Sequence, residues 1–118
     1  MAITGVHTIL YTADAAADRA FFADVLGLTS VDAGDGWLIF ALPPAELAAH
    51  PSDGSGYQLY LMCDDIEATV RELAAAGAEF SDGVTRQRWG RITTIKLPGG
   101  GRLGLYEPLH PSPLDRSS

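Results

Sequence analysis

The strongest constraint on the fold is an order of elements, strand–helix–strand–strand–strand, that the sequence predicts twice. In the first half, the apolar, β-rich run Val6–Tyr11 precedes the helical pattern AADRAFFADVLG, in which Gly27 is the expected helix-terminating residue. The runs LTSV and GWLIFAL follow as two strands joined by a glycine-containing turn, and AELAAH follows Pro43 and Pro44 as a fourth, short strand. The segment PSDGSG then separates the two halves.

The second half repeats this order. Tyr57–Met62 is a predicted strand, and Asp64 is the predicted N-cap of a helix, with Glu67 as its capping-box partner. Three more predicted strands complete the half, at Glu79–Val84, Ile92–Leu97 and Arg102–Glu107. A shift of 51 residues carries His7 onto Gln58. The repeated order therefore predicts an α+β fold of two βαβββ modules that form a curved mixed sheet around a cleft.

Length and composition limit the class of protein. A chain of 118 residues, 47% of them hydrophobic and 19% charged, suits a single domain with a buried core. The net charge of −7 disfavours phosphate binding, so we expect no nucleic-acid or membrane partner. The one cysteine, Cys63, excludes an intrachain disulfide. No signal-peptide pattern and no apolar run of ~20 residues is present, which predicts a cytoplasmic protein.

Three segments resemble a known family. GVHTILYTADAAADRAFFADVLGL resembles the opening module of the vicinal-oxygen-chelate superfamily, which contains glyoxalase, bleomycin-resistance and extradiol-dioxygenase proteins. GYQLYLMCDDIEATVRELAAAGAEF resembles the start of its second module, and LPGGGRLGLYEP its closing strand. The resemblance implies one glyoxalase-like domain over 1–108, with modules at about 4–51 and 56–108, and a loose tail at 109–118. It implies no single reaction, because the superfamily includes isomerases, dioxygenases, antibiotic-modifying enzymes and non-catalytic drug-binding proteins.

The resemblance also implies a candidate metal site. In the family's enzymes, His, Gln or Glu from the first and last strands of the modules hold a divalent metal, which acts as a Lewis acid. His7, Gln58 and Glu46 fall at three of these positions. The usual Glu of the last strand aligns with Gly104, and Glu107, three residues on, should point to the opposite strand face. We therefore expect no cofactor, with a Fe, Mn, Ni or Zn ion as the alternative.

Strand alternation and aromatic content predict which side chains face the cleft. The predicted ligand-binding residues are His7, Ile9, Tyr11, Trp37, Gln58, Tyr60, Met62 and Trp89. Each also has a structural explanation: a strand His is often only hydrogen-bonded, and Tyr60 and Met62 can simply fill the core. Trp89 lies among three arginines, and can either stack on a ligand or cover a core edge.

Two functions follow from these residues. In the first, the cleft sequesters a small, largely apolar or aromatic molecule, such as an antibiotic or a metabolite, without catalysis. In the second, the protein is a divalent-metal-dependent lyase, isomerase or dioxygenase that acts on a small oxygenated substrate. The missing ligand at Gly104 favours the first function. Relatives of this length commonly pair, so the resemblance implies a homodimer as well.

Overall fold

The chain forms an α+β fold of helices and mixed sheets. The computed structural model describes residues 7–49, 51, 53–54 and 56–114. The elements, in chain order, are α1 (Ala15–Asp24), β1 (Ser30–Asp32), β2 (Leu38–Phe40), β3 (Tyr60–Met62), α2 (Ile66–Ala75), β4 (Glu79–Phe80), β5 (Thr85–Arg86), β6 (Gly90–Lys96) and β7 (Arg102–Pro108). No helix in the described ranges is long and apolar enough to cross a membrane.

In the first half, β1 and β2 form an antiparallel hairpin beside α1. The turn of the hairpin contains Gly34, Asp35 and Gly36 at positive φ, a conformation that glycine adopts freely and Asp tolerates. One face of the hairpin packs on the helix, where the Phe22 and Phe40 rings meet edge to face with their centroids 5.4 Å apart. The predicted hairpin is confirmed.

The second half forms a five-stranded sheet. Its strand order is β3–β7–β6–β4, and β5 also pairs with β6. The parallel β3–β7 register places Tyr60 beside Gly104 and Met62 beside Tyr106. The helix α2 packs on the other face of this sheet, where Ile66, Ile95 and Leu105 belong to the buried core. We call the face of this sheet opposite α2 the open face.

The Asp18 side chain connects α1 to the turn between β6 and β7. This side chain is buried, and its Oδ1 accepts a hydrogen bond of 2.7 Å from the backbone N–H of Gly99. A Cβ on Gly99 would lie 2.7 Å from Asp18 Oδ2 and closer still to Thr12 Oγ1, so no larger residue fits there. Phe21, one turn along α1, lies in the same buried cluster as Leu105. The two halves therefore share one core.

Several predicted strand boundaries are wrong. Residues 7–11 and 45–49 are not part of any strand, because they do not pair through backbone hydrogen bonds with another strand of the described chain. Val6 and His50, at the ends of those predicted strands, lie outside the described residues. The predicted strand 79–84 is interrupted after Phe80, where the Thr93 hydroxyl donates to the Asp82 carbonyl oxygen at 3.0 Å.

The predicted cap of α2 is wrong by one residue. The N-cap is Asp65, whose Oδ1 accepts a hydrogen bond of 3.2 Å from the backbone N–H of Ala68. An N-cap side chain accepts a hydrogen bond from the backbone N–H of the residue two or three positions later in the chain. Asp65 precedes Ala68 by three positions and therefore meets this requirement. Glu67 forms no capping box and instead binds Arg91 Nη2 at 2.7 Å.

The described part of the tail, residues 109–114, contacts the rest of the chain. The backbone N–H of Leu109 donates to the Trp89 carbonyl oxygen at 2.9 Å, and Ser112 Oγ donates to Glu46. Residues 115–118 lie outside the described chain.

Candidate functional site

Three aromatic rings gather on the open face. Tyr60 comes from β3, Trp89 directly precedes β6, and Tyr106 comes from β7. Their centroids are 6.2 Å apart for Tyr60 and Trp89, 5.6 Å for Tyr60 and Tyr106, and 5.4 Å for Trp89 and Tyr106, with the rings nearly perpendicular. Edge-to-face pairs of this kind are favourable beyond their buried area. We call these three residues the aromatic floor; it unites the predicted Tyr60 and Trp89 with a residue that was not predicted.

Two glycines make room for the aromatic floor. A Cβ on Gly104 would lie 2.9 Å from Cγ of Tyr60 and closer to Cδ1, so the Tyr60 ring covers the space above this glycine. A Cβ on Gly90 would lie 3.0 Å from Cδ2 of Tyr106. Both rings therefore come close to strand backbone that carries no side chain.

The residues present do not fit the family's metal site. The position aligned with the last metal-ligating Glu is Gly104, and the Tyr60 ring fills the space into which a longer side chain would extend. The carboxylate of Glu46, the candidate from the first half, accepts hydrogen bonds from the hydroxyls of Tyr106 and Ser112. Within the described ranges, no three His, Cys, Asp or Glu side chains converge as metal ligands would. No chemical step can be built on a metal from this set.

A polar network borders the aromatic floor. The Tyr106 hydroxyl donates to Glu46 Oε1 at 2.9 Å, and Ser112 Oγ donates to Glu46 Oε2. His110 Nε2 lies 3.3 Å from the Tyr106 hydroxyl, and the two rings are tilted by 35° with centroids 6.1 Å apart. The network thus joins Glu46 of the first half to β7 and the tail of the second.

This network shifts two pKa values in opposite directions. The hydrogen bond from Ser112 lowers the pKa of Glu46, with smaller contributions from Tyr106 and the charge of His110. Burial, together with the hydrogen bond to Glu46, raises the pKa of Tyr106 to about 12. Near neutral pH the pair is therefore a carboxylate acceptor and a neutral phenol donor.

One concavity adjoins this network, and a second one lies on the β1–β2 hairpin. One, of about 380 Å³, lies under the tail. It is lined by Met62, Cys63, Asp64, Glu107, Pro108, His110, Ser112 and Leu114. The other, of about 250 Å³, is an apolar, open surface of the β1–β2 hairpin that includes Val31 and Ile39. The predicted ligand residue Met62 thus borders the larger concavity.

Glu107 and Cys63 have structural partners. Glu107 Oε1 accepts a hydrogen bond of 3.0 Å from the backbone N–H of Ile66, at the start of α2, and lies 3.5 Å from Arg91 Nη1. Its side chain therefore points toward the helix, as its odd offset from Gly104 predicts.

Burial raises the pKa of the Cys63 thiol, which lies 3.6 Å from the Tyr106 carbonyl oxygen. A protonated thiol is a poor nucleophile.

The other predicted site residues are not brought to the aromatic floor by any contact among the described residues. His7, Ile9 and Tyr11 are exposed and precede α1 without forming a strand. Gln58 is exposed ahead of β3. The Trp37 ring lies under the guanidinium of Arg19 on α1, at 5.3 Å, and is 67% exposed. The structure thus groups Tyr60, Met62, Trp89 and Glu46 around Tyr106.

Sequence reasoning missed Tyr106, His110 and Ser112. A signal for Tyr106 was present, since it lies two residues after Gly104 and so shares its strand face. No comparable signal marks His110 and Ser112, because a Pro- and Ser-rich tail has no periodicity that would fix its course.

The α+β fold places three clustered aromatic side chains on the open face of the five-stranded sheet. The chain belongs to the glyoxalase, bleomycin resistance protein and dioxygenase superfamily, whose family model matches residues 5–108. No curated protein is similar enough in sequence to count as a match.

Solved structures share the fold over almost the whole chain. The antibiotic-binding protein TnmS3 from Streptomyces sp. CB03234 is 26% identical, with a TM-score of 0.67 over 92% of this chain and 98% of that one. A superfamily member from Sphaerobacter thermophilus is 22% identical, with a TM-score of 0.63 over 89% and 98%. A lactoylglutathione lyase from Agrobacterium tumefaciens is 20% identical, with a TM-score of 0.62 over 89% and 94%. The last two likenesses concern the fold alone.

Proposed function

We propose that this protein binds a small, largely apolar or aromatic molecule on the aromatic floor and sequesters it without catalysis. The observation that carries the proposal is the position of the Tyr60 ring over Gly104, because one side chain both fills the place of the missing metal ligand and builds an aromatic surface. Aromatic walls with a few polar groups are typical of ligand sites, and Glu46 and Tyr106 supply the polar groups. The likeness to an antibiotic-binding protein supports an antibiotic as one such molecule.

Calorimetric titration with 2-naphthol tests this function, since the probe is flat, aromatic and uncharged. We expect saturable binding of one molecule per chain. Trp89→Ala and Tyr60→Ala should each weaken it by about 10-fold, because each removes a stacking surface. Tyr57→Ala is the matched control, as Tyr57 is fully exposed and precedes β3. Thermal unfolding of each variant separates lost binding from lost folding.

The competing function is a metal-dependent lyase, isomerase or dioxygenase. Metal analysis of the purified protein decides between the two. Stoichiometric Mn, Fe, Ni or Zn that is lost in the His7→Ala variant would overturn the sequestration proposal. Unchanged 2-naphthol binding after treatment with a chelator would support it, because the aromatic floor needs no metal.

We also propose that the chain acts as a homodimer, with modules at about 4–51 and 56–108. Large apolar side chains of the first half support the pairing, since they are exposed in the single chain. They are Ile9, Tyr11, Val31, Trp37, Ile39 and Leu47. Light scattering coupled to gel filtration should give twice the chain mass of 12.5 kDa. A Val31→Lys variant should lower it toward the monomer value, whereas Arg71→Glu on the exposed side of α2 should not.

A further inference from the structure

Residues 109–114 of the tail contact the aromatic floor and Glu46 as a bound molecule would. The first backbone N–H of the tail, on Leu109, bonds to the Trp89 carbonyl oxygen. Within residues 109–114 the one aromatic ring is the imidazole of His110, which is tilted by 35° relative to the Tyr106 ring with the centroids 6.1 Å apart. The one side-chain hydroxyl of these residues, on Ser112, donates to the Glu46 carboxylate. A ring against the aromatic floor and a donor to Glu46 together match the contacts that the site offers.

Glu46 accepts hydrogen bonds at the border of the aromatic floor. Its two carboxylate oxygens take one hydroxyl each, Oε1 that of Tyr106 and Oε2 that of Ser112. The Tyr106 hydroxyl belongs to the sheet, whereas the Ser112 hydroxyl belongs to a segment without regular structure. A molecule that replaces the tail therefore meets the aromatic floor on one side and an ionised acceptor, Glu46 Oε2, on the other. Losing the Ser112 donor frees that oxygen to accept a hydrogen bond from another donor.

We propose that residues 109–114 are an internal occupant of the binding site, and that the ligand is a flat aromatic molecule carrying a hydroxyl that takes the place of Ser112 Oγ on Glu46. The proposal rests on the function proposed above and names the ligand class for the same site. The tail and the ligand compete, so the apparent affinity equals the intrinsic affinity multiplied by the fraction of chains whose tail is released. Weakening the tail should tighten binding, and removing the acceptor should abolish the preference for a hydroxyl.

The test uses two probes that differ in one donor, 2-naphthol and 2-methoxynaphthalene. The full-length chain should bind 2-naphthol about 10-fold more tightly, because a hydrogen bond to a charged acceptor is worth about that factor. Ser112→Ala should tighten binding of both probes by about 3- to 10-fold, since it removes the tail's donor to Glu46. Ser81→Ala is the matched control, as Ser81 is exposed in the loop after β4.

Glu46→Gln supplies the second readout. The dissociation constant for 2-methoxynaphthalene divided by that for 2-naphthol should fall to about 2 or less, because an amide oxygen is a weaker acceptor than a carboxylate. This ratio is measured within one variant, so it remains diagnostic even where the substitution lowers stability. Wild-type affinities for both probes in Ser112→Ala, or an undiminished ratio in Glu46→Gln, would overturn the inference and leave the sequestration function standing. Failure of both probes to bind any variant would overturn that function itself.

Discussion

The Tyr60 ring lies directly over Gly104, and this relationship joins β3 to β7 on the open face. A Cβ on residue 104 would lie 2.9 Å from Cγ of Tyr60, so the ring would have to move and would lose its edge contacts with Trp89 and Tyr106. We expect Gly104→Ala to lower the free energy of unfolding by about 1–3 kcal/mol, as overpacking does. Urea denaturation measures the change.

A double-mutant cycle assigns this cost to the ring. In a Tyr60→Ala background, Gly104→Ala should cost less than about 0.5 kcal/mol, because the obstacle is gone. Gly83→Ala is the control, since no atom lies within 4 Å of a Cβ there. An equal cost of Gly104→Ala in both backgrounds would show that backbone conformation, and not Tyr60, requires the glycine.

Glu107 should matter for stability and not for binding. Its carboxylate accepts from the Ile66 N–H at the start of α2 and lies beside Arg91, on the face opposite the aromatic floor. Glu107→Gln should lower the free energy of unfolding by about 1–2 kcal/mol, because a charge-assisted bond becomes a neutral one. The affinity for 2-naphthol, measured by calorimetry, should stay within about 2-fold of wild type. Glu79→Gln, exposed on β4, should change neither quantity.

The fold could be predicted from the sequence further than the site could. Repeated element order and helical spacing predicted both helices, the β1–β2 hairpin and the strands β6 and β7, because these depend on patterns within a few residues. The strands predicted at Val6–Tyr11 and at AELAAH failed over their described residues, because a strand requires a neighbouring chain segment that periodicity alone does not supply. Two of the three residues of the aromatic floor, Tyr60 and Trp89, were named from the sequence, and Tyr106 was not.

The tail was missed for a different physical reason. Its course is fixed by single contacts to Glu46 and Tyr106, which lie 66 and 4 residues away from Ser112 and His110 along the chain. No local propensity in PLHPSPL encodes such a contact, whereas Glu46 was identified for a metal and turned out to bind two hydroxyls. Glu46 was predicted only as a metal ligand, and its two hydroxyl partners could only be read from the structure.

Asp18 should be the strongest single link between α1 and the second half. Asp18→Ala leaves the Gly99 N–H without its buried partner, so we expect a loss of about 1–3 kcal/mol in the free energy of unfolding. Asp24→Ala, at the exposed end of the same helix, should not lower stability, because a negative charge is unfavourable near a helix C-terminus. Chemical denaturation followed by circular dichroism compares the two. A loss no greater than that of the control would contradict a linking role for Asp18.

The raised pKa of Tyr106 predicts how stability changes in alkaline solution. The folded chain holds this phenolic proton up to a pKa of about 12, whereas an unfolded tyrosine loses it near ~10. Between these values the folded state binds more protons than the unfolded state, so the free energy of unfolding falls as pH rises. The contribution is complete below pH ~10, and its loss has a slope of at most ~1.4 kcal/mol per pH unit.

Tyr106→Phe removes this term, so its free energy of unfolding should fall less steeply than that of the wild type between about pH 10 and 12. Urea denaturation in steps over about pH 9–11 gives both slopes before the chain unfolds in base alone. Tyr57→Phe, which alters a fully exposed ring, should retain the wild-type slope. If the free energy of unfolding fell with pH equally for Tyr106→Phe and the wild type, the folded chain would hold the Tyr106 proton no more tightly than the unfolded chain. The hydrogen bond from Tyr106 to Glu46 would then add nothing to stability.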